Sequence, residues 1–176
     1  KIIQSSREVE SLASSVDSTE GVEFVPALSG LGAPYWVPEA RGEITGLTRG
    51  STQAHIARAT LESMALQNHD ILMAMQSDLK RKMKSLKVDG GASQNNLLMQ
   101  MQSNYLQTKV VRPVHVETTA IGAAYLAGIG SGVWSNLSEI KAIWKCDRIF
   151  QNEMKPKDLK SRLNSWRKAI TKAKRI

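Results

Sequence analysis

The sequence predicts an α/β layer architecture, with helices covering a sheet, and three observations carry that expectation. Short β-branched runs alternate with longer apolar-striped segments along the chain. The stretch "VDGGASQNNLLMQMQ", Val88 to Gln102, turns from strand to helix through two glycines. A hydrophobic content of 41% over 176 residues is ordinary for a globular protein and suffices for one domain with a real core.

Each element has its own signal. Ser5 and Glu8 in "SSREVESLASSV" have capping-box spacing, which predicts a short opening helix. "VEFVPAL" reads as a strand, the Gly/Pro-rich "SGLGAPYWVPEARG" as a loop, and "EITGLTR" as a second short strand. The longest helix is expected over roughly Thr52 to Leu79, with Ala57, Leu61, Met64, Ala65, Leu72, Met75 and Leu79 on one face. In "SLKVDGG", Leu86 and Val88 alternate with lysines, as in a strand packed on one side. A helix from about Gln94 to Leu106 carries Leu98, Met101 and Tyr105 on one face. "KVVRP" is a strand stopped by Pro113, and "ETTAIGAAYLAGIGSGVW" begins a small-residue helix capped by Thr118 or Thr119. After "WSNLSEI" the chain is expected to loop through "CDRIFQNEMKP" to a terminal helix.

The excess of positive charge is confined to that last segment. From Lys155 onward stand nine Lys/Arg and one acid, Asp158, whereas the preceding residues hold fifteen bases and fifteen acids. The net +8 therefore belongs to one tail. Within it Leu159, Leu163, Trp166 and Ile170 form the apolar stripe of a docked helix with basic, solvated outer faces. Neither base-stacking aromatics nor a recognition motif accompanies the charge, so no nucleic-acid partner is expected. No apolar run approaches the roughly 20 residues of a membrane span. The single cysteine, Cys146, fits a reducing compartment, and the scattered His55, His69 and His115 suggest no metal centre. A start at Lys1 without a signal-like segment suggests a fragment or processed form.

Three stretches can carry chemistry. Gly90 and Gly91 end a strand and open a helix, where ligands of open α/β sheets bind and helix amides favour anions. Missing side chains there let a flat base, a ribose or a phosphate approach, and Asn95 can aim its amide at a base edge or cap the helix. The small residues of "TTAIGAAYLAG" suit either close helix packing or a helix that slides between two lobes. The loop around Tyr35 and Trp36 can wall a cleft or tuck its aromatics onto the core, with Glu39 and Arg41 placed to pair. The GxxxxGK[ST], GxGxxG, GxSxG and HExxH patterns are all missing.

Taken together, "VPALSGLGAPYWVPEARGEITGLTRG", "ATLESMALQ", "VDGGASQNNLLMQMQSN", "RPVHVETTAIGAAYLAG" and "GVWSN" resemble the C-terminal half of the FGGY carbohydrate kinases. Those kinases belong with actin and the heat-shock ATPases, and "SGLGAPYW" favours the branch acting on glycerol. Gly42, Ile44, Gly46, Leu47, His55, Ile56, Ala59, Thr60, Leu61 and Glu62 stand at the spacing of the family's second signature. The similarity runs from about Val22 to Trp144, and more loosely to Trp166.

The resemblance implies a ribonuclease H-like, actin-like ATPase fold, here an incomplete second lobe whose mixed sheet is flanked by helices. It divides the chain into a helical segment (1–20), a partial C-terminal kinase domain (21–150) and a basic amphipathic helix (151–176). It implies a cytoplasmic, homo-oligomeric enzyme that uses ATP and Mg²⁺ to phosphorylate glycerol. Gly91 and Asn95 match its nucleotide-contacting positions, so the adenosine half of ATP or ADP would lie on Gly91, flanked by Asn95. The catalytic aspartate and acceptor site belong to a missing N-terminal lobe, so no residue here is assigned as catalytic and the chain alone is expected to be inactive. The second lobe's opening hairpin is missing too, which should strip the Glu43–Arg49 strand of its ladder partners. Alternatives are a kinase of the same family with another polyol or sugar, a noncatalytic basic binding module, and an assembly segment built on "HIARATLESMALQNHDILMAM".

Overall fold

The computed structural model describes residues 3–174; Lys1, Ile2, Arg175 and Ile176, counted in the segments and charge above, lie outside the described residues. A 3-10 turn, Ser6–Glu8, leads into α1 (Val9–Ser14). Ser5 caps it by accepting from the Arg7 amide, while the Glu8 carboxylate reaches one residue beyond the capping-box position, to the Gln4 amide at 2.9 Å. Strand β1 (Glu23–Val25) pairs antiparallel with β2 (Glu43–Thr45). Helix α2 (Gln53–Leu79) starts from a Thr52/His55 capping box and closes on Lys80 in the left-handed conformation.

Strand β3 (Ser85–Lys87) precedes α3 (Asn96–Leu106), and β4 (Lys109–Pro113) returns parallel to β3. Then come α4 (Thr118–Gly130), α5 (Leu137–Ile143), β5 (Cys146–Phe150) and α6 (Pro156–Ala173). Strand β5 pairs antiparallel with β4, so the second sheet is mixed, in the order β3-β4-β5. The expected α/β architecture with a mixed sheet stands. Contrary to expectation, β2 keeps one ladder partner, β1; its other edge and the outer edge of β3 carry no strand among the described residues.

The core gathers where α1, α2 and α3 meet and α6 lies across β1. Trp166 and Leu66 are wholly buried, with Leu98, Met99 and Phe150 nearly so. All three residues assigned to the apolar face of α3 are buried, as is the Trp166–Ile170 half of the α6 stripe. The α2 stripe is only partly correct: Met64, Met75 and Leu79 are 37%, 50% and 70% exposed. A helix of 27 residues is about 40 Å long, and its last turns outrun the core.

Two other expectations fail locally. Thr118 does not cap α4: it is the first helical residue, and its hydroxyl donates to Asp89 instead. The loop expected through "CDRIFQNEMKP" contains β5. That strand exists because β4 offers an edge, a non-local cause with little local pattern, since only Phe150 of β5 is buried. Arg112 and Arg148 both lie over the Phe150 ring, and Arg112 also binds Asp147 at 2.7 Å.

Candidate functional site

The turn after β3 places the two glycines differently. The Gly90 amide donates to the Val116 carbonyl at 2.7 Å, which brings the chain across to the start of α4. Gly90 has φ +77° and ψ 171°, a region glycine alone enters cheaply. Gly91 opens a 3-10 turn, Gly91–Gln94, at an ordinary negative φ. Ser93 holds the turn through its hydroxyl on the Gly90 carbonyl, and Arg112 Nη1 donates to the Ser93 carbonyl at 2.8 Å. A Cβ added at Gly90 or Gly91 would meet nothing within 4 Å. The backbone there is bare, and among the described residues no side chain fills the space against it.

Asn95 occupies the N-cap of α3, where its Oδ1 accepts from the Leu98 amide at 2.8 Å. Its Nδ2 has no protein partner among the described residues. The cap role is therefore real, and it leaves the Nδ2 amino group free. Above α3 lies a cleft of about 620 Å³ lined by Val9 and Glu10 of α1, Leu61 and Met64 of α2, and Gly91 and Asn95. Its floor is apolar, as a stacked aromatic base requires.

The chemistry of the cleft turns on Glu10. Its Oε1 accepts from the Asn96 amide at 2.9 Å and the Leu97 amide at 3.1 Å. With Asn95 on the Leu98 amide, three N–H groups of the first turn of α3 are satisfied inside the protein. That helix end has neither free donors nor uncompensated positive charge for a phosphate. The bare glycine patch beside it suits an uncharged, flat group. Nothing in the sequence pointed to Glu10, because its partners stand 86 and 87 positions away.

A second pocket, of about 550 Å³, lies between α6 and β1 and holds charges that satisfy one another. Arg162 binds both Glu23 oxygens and, through Nε, Glu62 at 2.6 Å. Burial raises the Glu23 pKa against the opposing pull of Arg162. Burial works against the charge on Arg162, yet the Glu62 and Glu23 carboxylates hold its pKa above the ordinary arginine value. Burial likewise raises the Tyr105 pKa, with the Glu62 charge adding to the effect.

The aromatic loop divides its two residues. Tyr35 is tucked in, donating to Asp70 at 2.5 Å, whereas Trp36 is 75% exposed. Asp70 also accepts from Trp166 Nε1 at 2.6 Å and faces His69 Nδ1 at 3.0 Å. Burial works against its charge, but the hydrogen bonds from His69, Tyr35 and Trp166 outweigh it and lower the pKa. The expected Glu39–Arg41 pair does not form; Arg41 Nη1 instead binds the carbonyls of Pro38, Glu39 and Ala40. Among the described residues no His/Cys/Asp/Glu cluster can hold a metal ion, and no helix is long and apolar enough to cross a membrane.

The fold is that of one lobe of an actin-like ATPase. The chain belongs to the FGGY family of carbohydrate kinases, matching the model of that family's C-terminal domain over residues 2–131. It is 62% identical over 169 residues to a glycerol kinase of Bdellovibrio bacteriovorus, covering 96% of this chain and 34% of that protein. A glycerol kinase of Acinetobacter baylyi is 55% identical, over 98% of this chain and 35% of the relative. Among solved structures, Plasmodium falciparum glycerol kinase with ADP superposes with a TM-score of 0.89 at 35% identity, covering 98% of this chain and 34% of that one. A xylulose kinase of Lactobacillus acidophilus, at 22% identity and a TM-score of 0.74, shares the fold; it covers 94% of this chain and 34% of that one. The chain spans about a third of the length of the curated relatives it matches.

Proposed function

We propose that this chain is the nucleotide-binding C-terminal portion of a glycerol kinase, in which the γ-phosphoryl of ATP passes to a terminal hydroxyl of glycerol. The observation that carries the reading is the open, bare backbone at Gly91 beside the unpartnered Nδ2 of Asn95, in an apolar cleft of about 620 Å³. Gly91 lets the nucleoside rest on the backbone, and Asn95 Nδ2 donates to an acceptor on the base edge. Both bind and orient ATP or ADP, and neither transfers a proton. Relatives named glycerol kinase, and one solved with ADP, support the nucleotide and the acceptor.

The catalytic aspartate and the glycerol site belong to the N-terminal lobe, the required partner of this one. Among the described residues no cluster of carboxylates forms a Mg²⁺ site. The ion would arrive on the ATP phosphates, and no step is assigned to this chain through it. The same reading includes the division at 1–20, 21–150 and 151–176, a cytoplasmic location and a homo-oligomer. Met64, Ile71 and Met75, exposed on α2, give the 55–75 segment an apolar surface for assembly.

The test is glycerol-dependent ADP release by the full-length kinase containing this chain, by its Gly91→Val variant and by the chain alone. Full-length protein should turn over, Gly91→Val should raise the KM for ATP and spare that for glycerol, and the chain alone should match the blank. An unchanged KM for ATP in Gly91→Val, or turnover by the isolated chain, overturns the assignment.

A further inference from the structure

Among the described residues Glu10 is the only carboxylate on the lining of the cleft, and it bonds α1 to the first turn of α3. It stands on α1, whose Ala13 is wholly buried and which packs on α2 and α3. Its oxygen binds the Asn96 and Leu97 amides, immediately after the Gly91–Asn95 turn that forms the other wall. The contact therefore sets how far the turn stands from α1. It also places a fixed negative charge where the α3 dipole would otherwise attract an anion. Arg7, which also lines the cleft, is exposed and leaves the polarity of the buried end unchanged.

We propose that Glu10 is a positioning residue for the nucleotide, an internal anion that keeps the α3 N-terminus closed to phosphate so that ATP enters base-first. The inference rests on the nucleotide-binding reading above. A purine nucleoside needs a wall spacing that admits one flat ring and a helix end that does not compete for the triphosphate. Glu10 supplies both, through bonds to two amides that only a folded chain brings to it.

The experiment compares Glu10→Gln, Glu10→Ala and Gly91→Val in the full-length kinase, with inorganic phosphate as the anion probe. Glu10→Gln keeps an amide acceptor without the charge, and a KM for ATP about tenfold higher is expected, since bonds to an ionised acceptor are about twice as strong as neutral ones. Its kcat at saturating ATP and its KM for glycerol should stay within about twofold. Glu10→Ala frees the two amides, and competitive inhibition by inorganic phosphate against ATP should then appear at concentrations that leave the parent unaffected. If both Glu10 variants keep the parental KM for ATP and gain no phosphate inhibition while Gly91→Val raises that KM, the positioning role is wrong and the nucleotide site stands. An unchanged KM for ATP in all three overturns the site as well. Equal loss toward ATP and glycerol in Glu10→Gln marks general fold damage and also overturns the role.

Discussion

Arg162 of α6 grips Glu23 of β1 through two parallel N–H···O bonds of 2.7 and 3.0 Å, across 139 positions of sequence. The same guanidinium reaches Glu62 of α2, so one side chain ties the terminal helix to both the first sheet and the longest helix. Arg162 and its two partners are each under a fifth exposed. Such a site is stable while complete and costly when broken.

Arg162→Met should therefore destabilise the protein by about 3 kcal/mol, because Glu23 loses its counter-charge in a partly desolvated site and Glu62 keeps only Arg58, at 3.7 Å. The sign with pH follows from Glu23, whose folded pKa already lies above its ordinary value of 4.5. In the variant the folded state binds the extra proton more readily than the unfolded chain. Relative to the parent, its stability should then rise as pH falls from 7 toward 5. Urea unfolding at the two pH values checks both parts; a loss below about 1 kcal/mol at pH 7 would count against the network.

Asp70 gives the opposite sign. Its folded carboxyl titrates below the ordinary 3.8, so its stabilisation is complete above that value and is lost as pH falls through the folded pKa. Asp70→Asn weakens the bonds from Tyr35 and Trp166 and should cost about 1–2 kcal/mol at neutral pH. The gap to the parent should narrow in thermal melts at pH 3. A gap that stays constant with pH would mean that the carboxylate charge is irrelevant.

Asn95 has a structural and a ligand-facing half, and serine separates them. Asn95→Ser keeps an N-cap acceptor for the Leu98 amide, so the melting temperature should hardly move. It removes Nδ2, and the KM for ATP should rise several-fold, as for one lost hydrogen bond of about 1 kcal/mol. Asn95→Ala should add the loss of the cap, about 1 kcal/mol of stability. Parental kinetics in Asn95→Ser would leave the residue as a cap alone.

The paired glycines should respond differently to alanine. Gly90→Ala has space for its methyl but must hold φ +77°, at a cost of about 1–2 kcal/mol in stability. Gly91→Ala has the same space and an ordinary φ, so it should melt with the parent while its methyl intrudes on the nucleoside surface. Differential scanning fluorimetry with and without ADP distinguishes them: ADP should raise the melting temperature of Gly90→Ala more than that of Gly91→Ala.

By itself the sequence determined the elements whose signals are local. The apolar face of α3 at Leu98, Met101 and Tyr105, the α6 stripe, the Thr52 start of α2 and the strand-glycine-helix turn at Gly90 and Gly91 all follow from spacings within one or two turns. Linked motifs, read in order, pointed to the family. Only the folded chain decided what long-range partners decide: that Cys146–Phe150 pairs with β4, that the far turns of α2 leave the core, and that Asn95 spends its oxygen on a cap. It alone brought Glu10 to the α3 amides, Arg162 to Glu23 and Asp70 to Tyr35 and Trp166. Periodicity reports which face of an element is buried, whereas the partner of a charge depends on how whole elements cross, and no local pattern carries that information.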